Sequence, residues 1–148
     1  REGLSVLCAE SLVGFVDQVG THTARVRMLT DKHTALRVLI ARAVKGSFYP
    51  LSNEFWLVGT GDAGMKIRDV SHTYVKSDDD EKNIRVGDYV FTSRDDPGLP
   101  ASMTIGKISD IRQDPDNSLL YILRVEPAVE PADLRQVFVV DVERSDLP

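Results

Sequence analysis

Apolar residues recur at every second position along most of this chain, in windows too short for helices. In LVGFVDQV, Val13, Phe15, Asp17 and Val19 fall on one side, and Leu12, Gly14, Val16 and Gln18 on the other. In ARVRM, Val26 and Met28 alternate with Arg25 and Arg27, and in ALRVLIARA, Leu36, Val38 and Ile40 alternate with Arg37, Leu39 and Ala41. A period of two in β-branched and aliphatic residues is the pattern of a half-buried strand. Further strands are expected at 55–58, 89–93, 104–111, 120–125 and 137–142. Turn residues separate them: Gly20-Thr21, Asp31-Lys32, Gly46, Gly59 to Gly64, Asp95 to Gly98, and Asp114 to Asn117. No window carries a long i, i+3, i+4, i+7 stripe, and only residues 131–136, with Pro131 near the first position, suggest a turn of helix. The expected fold is all-β with little helix, a β-barrel or a sandwich, with two small antiparallel β-barrel subdomains as the favoured arrangement.

Composition narrows the function. Hydrophobic residues make up 42% of the 148 residues, enough for a packed core. A net charge of -5 argues against a nucleic-acid backbone as main partner, which requires a basic face. Cys8 is the one cysteine, so an intrachain disulfide is excluded, and its apolar setting reads as a small buried hydrophobe. No apolar run approaches the ~18 residues that cross a bilayer, and no signal peptide is visible. Because the chain starts at Arg1, a processed or truncated fragment that has lost an anchor or targeting segment is expected.

Each possible catalytic constellation has a plainer reading. His22, His33 and His72 lie in turn-like contexts with no second His or Cys at metal-ligand spacing. The acidic run Asp78 to Glu81 lacks the Gly and distal Glu of an EF-hand and reads as a solvated loop. GTGDAGM, Gly59 to Met65, is similar to the element around a serine-protease nucleophile but holds Ala63 where the serine would stand. Ser93 and Ser102, with one of the histidines as base, keep a β-barrel hydrolase open as an alternative, although no nucleophile-elbow signature surrounds them. An oligonucleotide-binding type of barrel is the second alternative. In GDYVFTS, Gly87-Asp88 reads as a turn whose carboxylate accepts a backbone N–H, and Tyr89 to Ser93 as the strand it starts. Pro97 breaks that strand, and Gly106 marks close backbone approach or a bend in the next.

Taken together and in order, these segments resemble one family, the extracytoplasmic β-domain of the rod shape-determining protein MreC. The segments are SLVGFVDQVG, TARVRMLTDKH, GTGDAGMKIRDV, IRVGDYVFTS, LPASMTIGKI and VEPAVEPADLRQVFVVDV, and they run through nearly all of the chain. The resemblance marks Gly14, Gly20, Thr30, Asp31, Gly59, Gly61, Gly87, Asp88, Thr92, Ser93, Pro100, Gly106 and Pro127 as structural family positions. The chain departs from the family at Arg94 and Ser102, where Gly is usual, and at Leu99, where Phe is common. Residues 47–55 look like an insert. The resemblance implies two small β-subdomains, one formed largely by 34–88 and the other by the flanking strands. It also implies a noncatalytic scaffold of cell-wall elongation on the extracytoplasmic (periplasmic) side of the membrane, held there by a helix outside these residues. Implied partners are peptidoglycan synthases (the elongation-specific transpeptidase and glycosyltransferase), MreD, MreB, and further copies in a homodimer or filament. Cofactors, metals and nucleic acid are not expected.

The densest aromatic stretch is SFYPLSNEFW. Phe48, Tyr49, Leu51, Phe55 and Trp56 are the candidates for a protein interface, since aromatic side chains bury large area at small entropic loss. The plainer reading is that they close a barrel end.

Overall fold

The structure, a computed structural model, describes residues 4–8, 11–93, 102–129 and 137–140. Its strands are β1 (Ser5–Cys8), β2 (Ser11–Val19), β3 (Ala24–Met28), β4 (Ala35–Val44), β5 (Ser47–Pro50), β6 (Phe55–Gly59), β7 (Met65–Ser71), β8 (Tyr89–Thr92), β9 (Thr104–Asp114), β10 (Asn117–Pro127) and β11 (Phe138–Val140). Two 3-10 turns, His72–Tyr74 and Asp80–Lys82, lie between β7 and β8. Among the described residues no helix is long and apolar enough to cross a membrane. The helical turn expected at 131–136 and the turn at Asp95 to Gly98 lie outside the described residues.

Six strands close on themselves in the order β10-β7-β6-β4-β8-β9, with β9 returning to β10 and every pairing antiparallel. Closure removes the ring's own sheet edges, the reason small all-β chains favour barrels. The ring draws on β8, β9 and β10 as well as on residues 34–88. A second sheet, β3-β2-β1-β11, joins the ring where β2 runs parallel to the start of β9, Ser11 beside Thr104.

The period-two pattern is what fills the ring. Leu36, Val38 and Ile40 of β4, Leu57 of β6, Met65, Ile67 and Val70 of β7, Val90 of β8, Ile105 and Ile108 of β9, and Tyr121, Leu123 and Val125 of β10 form one buried cluster. A smaller cluster gathers Val6, Val13 and Val16, with Leu4, Cys8, Val26, Met28 and Val129 packed against it. Strands β1 and β2 lie between the two cores. Leu7 and Leu12 point to the ring core and Val6 and Val13 to the other, so neither strand has a solvent face in its middle.

Alternation fails where bulges occur, and the bulges bend the ring. In β7, Ile67 pairs with Leu123 and Val70 with Tyr121, leaving Arg68 and Asp69 together opposite Ile122. Asp69 takes φ 58° there. In β9, Phe91 pairs with Thr104 and Val90 with Gly106, which turns both Ile105 and Ile108 inward. Gly106 is required at this crossing, because a Cβ would lie 1.8 Å from the Glu126 carbonyl oxygen.

Residues 47–55, expected as an insert, contribute β5, which pairs with β4 through a Lys45-Gly46 turn with both φ positive (49° and 80°). Among the described strands β5 pairs with β4 alone, an edge position that tolerates Pro50.

Candidate docking face and the motifs that frame it

The family-type motifs resolve into backbone joints. In the turn after β3, the Asp31 carboxylate accepts from His33 N at 2.8 Å and the Asp31 carbonyl from Thr34 N at 2.9 Å. Gly61 N donates to the Thr30 carbonyl at 2.8 Å, and Gly59 N to the Thr34 carbonyl at 3.1 Å. This docks the turn after β3 onto the Gly59–Gly64 loop and so ties the second sheet to the ring. The approach is closest at Gly59, where a Cβ would stand 2.0 Å from the Asp31 carbonyl oxygen. Gly14 meets the Arg27 carbonyl of β3 in a similar way. Gly20 closes the β2–β3 turn by donating to the Thr23 carbonyl at 2.7 Å, and Pro127 pairs with Gly106 at the end of β10.

In GTGDAGM, Thr60 N donates to the Gly64 carbonyl at 3.0 Å, and Ala63 takes φ 67°. The Thr60 hydroxyl donates to the Asp62 carboxylate. That bond, helped by the Arg124 guanidinium and opposed by slight desolvation, holds the Asp62 carboxyl below its usual 3.8.

The opening turn of β8 is held from two sides. Asp88 accepts from Arg85 N at 2.7 Å, the bond expected from the Gly-Asp pair, with Gly87 at φ 96°. Asp88 also takes a two-pronged contact from Arg42 of β4, Nε to Oδ1 at 3.0 Å and Nη2 to Oδ2 at 2.9 Å. The same guanidinium donates to the carbonyls of Glu81 and Asn83. Asn83 in turn accepts from Ser77 N at 2.9 Å and from the Ser77 hydroxyl at 2.7 Å. The acidic run is therefore exposed, as expected, and its backbone is pinned from below. Nothing in the local sequence distinguishes Arg42 from the other arginines of the strands. Its partners lie about forty residues away and no local signal marks them.

Thr92 and Ser93 close the other end of β8. Thr92 Oγ1 accepts from Met103 N at 2.8 Å, and Thr92 N donates to the Met103 carbonyl at 2.9 Å. This brackets the segment from 93 to 102, which includes Pro100 outside the described residues. The Ser93 hydroxyl donates to Glu54, tying the β5–β6 connection to the ring. Ser102 Oγ is buried with no partner among the described residues. None of the described residues forms a group of three or more metal-ligating side chains.

The aromatic stretch divides. Leu51 and Phe55 pack on the ring core, Phe55 edge-on to Tyr74 with centroids 5.2 Å apart. Phe48, Tyr49 and Trp56 stay 51%, 56% and 59% exposed. Phe48 stands edge-on to Tyr89 (5.3 Å) and Phe91 (4.9 Å) on the outer face of β8, and Lys107 Nζ lies 4.8 Å over the Tyr89 ring. Between β4, β5 and β8 a cleft of about 190 Å3 is lined by Leu39, Ala41, Phe48, Pro50, Phe91 and Ser102. Its shape follows from register: Leu39 pairs with Phe91 and Ala41 with Tyr89 and Pro50, so the small Ala41 leaves a hollow between rings.

A family model described as rod shape-determining protein MreC, barrel core, matches residues 1–141. The chain belongs to the MreC family. Among solved structures, MreC from Pseudomonas aeruginosa is similar at 26% identity and TM-score 0.73, covering 95% of this chain and 80% of that one. The chain is also similar in fold to a complex between Penicillin-Binding Protein PBP2 and MreC from Helicobacter pylori (20% identity, TM-score 0.63, 95% and 78% covered). A third similar structure is described as the major periplasmic domain of the cell shape-determining filament MreC (18%, TM-score 0.53, 87% and 71% covered). No curated protein sequence matches the chain. Membership in MreC makes this chain part of a family of cell-shape determinants, and its all-β architecture is the MreC fold.

Proposed function

We propose that this chain is a noncatalytic scaffold on the extracytoplasmic side of the membrane that docks a peptidoglycan synthase on the outer face of β4, β5 and β8. The observation that carries this reading is the half-exposed Phe48 ring over an apolar cleft, beside Phe91 and the Ser102 hydroxyl, which has no partner among the described residues. A partner's apolar side chain fills such a hollow, and a backbone N–H or C=O of the partner satisfies the serine. Rings already packed edge-to-face lose little freedom on binding. The similar complex between Penicillin-Binding Protein PBP2 and MreC from Helicobacter pylori supports a synthase as the class of partner.

The finer parts of the proposal are the elongation-specific transpeptidase as the synthase, links to MreD and MreB, and self-association. In the same proposal the closed ring and the β3-β2-β1-β11 sheet act as two subdomains, each with its own core.

The test is binding of the transpeptidase's extracytoplasmic region to wild type and to Phe48→Asp, with circular dichroism on both. Phe48 is half-exposed, so the variant is expected to keep the fold, which the circular dichroism checks. Affinity is expected to fall at least about tenfold, the scale of one aromatic anchor. Unchanged affinity in the folded variant refutes the docking face. Sedimentation of the same two proteins reads self-association separately.

A further inference from the structure

The ring's outer face carries a second cleft, of about 350 Å3, lined by Glu54, Phe55, Trp56, Val58, Arg68 and Asp69 and sharing no lining residue with the first. Trp56 is the chain's one tryptophan, and it is 59% exposed. It pairs with Arg37 on β4, whose guanidinium lies 5.7 Å from the ring centroid. On its other side, one step from the Leu57–Ile67 pair, stands Arg68 of β7.

The β7 bulge makes this cleft. Ile67 and Val70 both point inward, so the two residues between them both turn out, and a cation and an anion line the same hollow. Asp69 adopts φ 58° to do so, a left-handed conformation that non-glycine residues rarely take. Glu54 is committed to Arg37 (3.4 Å) and to the Ser93 hydroxyl, so it is a wall of the cleft rather than a free group. The Arg68 and Asp69 side chains have no hydrogen bond or ion pair among the described residues. An exposed indole with a free guanidinium and a free carboxylate beside it, in a hollow of ligand size, is the layout of a small-molecule subsite.

We infer that this cleft binds a sugar: a pyranose bearing an acetamido group and a carboxylate, as in N-acetylmuramic acid of the bacterial wall. The apolar C–H face of the ring lies on the indole. Arg68 takes the carboxylate through two parallel N–H bonds. Asp69 accepts from the acetamide N–H or a ring hydroxyl. The choice of a wall sugar among ring-shaped ligands rests on the proposed extracytoplasmic function; the site itself rests on the cleft.

Because Trp56 is the sole tryptophan, intrinsic fluorescence reports on this cleft without a label. The folded protein is titrated to millimolar concentration with the N-acetylglucosaminyl-N-acetylmuramic acid disaccharide, with N-acetylglucosamine, which lacks the carboxylate, and with UDP-N-acetylmuramic acid. The disaccharide is expected to give a saturable change, and N-acetylglucosamine to bind at least about tenfold more weakly. Arg68→Ala is expected to weaken disaccharide binding by a similar factor and to erase that preference, and Asp69→Asn to weaken all three sugars. Equal binding of the disaccharide and the UDP-sugar supports a site for the sugar unit itself; tighter binding of the UDP-sugar supports a site for diphosphate-linked precursors. Absence of a saturable change, or binding untouched by both substitutions, overturns the inference. Transpeptidase binding measured on the same samples separates the two readings: a null sugar titration with synthase binding intact removes this site alone.

Discussion

Removing Arg42 is the sharpest perturbation of the fold. Its side chain is 19% exposed and that of Asp88 only 5%. In Arg42→Ala, Asp88 keeps one backbone donor, Arg85 N, and faces β4 as an uncompensated charge, while the carbonyls of Glu81 and Asn83 lose a charged donor. Breaking a buried pair from one side costs about 3–5 kcal/mol. The partial exposure of Arg42 admits water to the vacated site and places the expected loss near ~3 kcal/mol, or roughly 6–12 °C in Tm for a chain of this size. Arg42→Lys retains charge but not the fork, and about half of that loss is expected. Urea denaturation gives the magnitude. Trypsin cleavage at Lys76 and Lys82 in the native state, quantified by mass spectrometry, tells whether the 72–88 connection loosens first. A loss under about 1 kcal/mol for Arg42→Ala, with unaltered cleavage, refutes the clasp.

Three further outcomes follow from the same geometry. Gly59→Ala and Gly106→Ala each force a Cβ to within 2.0 and 1.8 Å of a carbonyl oxygen, and each is expected to cost about 3 kcal/mol or more in a urea melt, whereas Gly46→Ala, with open space around it, pays only for its φ of 80°, about 1–2 kcal/mol. Thr92→Val leaves the buried Met103 N–H without its side-chain acceptor and is expected to lose about 1–3 kcal/mol by the same measurement, with Thr92→Ser close to wild type. Asp62, held below 3.8 in the fold, adds stability that is present above 3.8 and lost as pH falls through its folded value; NMR titration of its carboxyl is expected to show a midpoint under 3.8, moving toward 3.8 in Thr60→Val.

The strands that alternate cleanly were legible in the sequence. β4, β6, β8 and β10 lie where Leu36 to Ala41 and the later windows put them, because each has one face on a core and one in solvent; β2 and β9 also lie in their windows, although the middle of β2 has a core on both faces and β9 is bulged. β1 was not legible as a strand: Val6 and Leu7 are buried on opposite faces between two cores, so nothing alternates. β7 was obscured by its bulge, which spaces Ile67 and Val70 three apart. β5 was not legible because a proline such as Pro50 fits a strand only at an edge, and the edge position depends on the tertiary pairing. The Gly-Asp and Thr-Ser pairs were legible as strand ends from local turn chemistry. Their distant partners, Arg42 for Asp88 and Glu54 for Ser93, depend on ring closure, which a single sequence does not encode locally. The aromatic stretch was visible as a group, but its division depends on strand phase: Phe55 and Leu51 turn inward, Phe48 and Trp56 outward.

Docking through the outer face of β4, β5 and β8 is tested most directly by photocrosslinking in cells. A benzoylphenylalanine at position 48 is expected to capture the elongation transpeptidase, and the same group at Asp116, in the exposed β9–β10 turn, to capture none of it. Equal capture from both positions, or capture from 116 alone, contradicts the docking face.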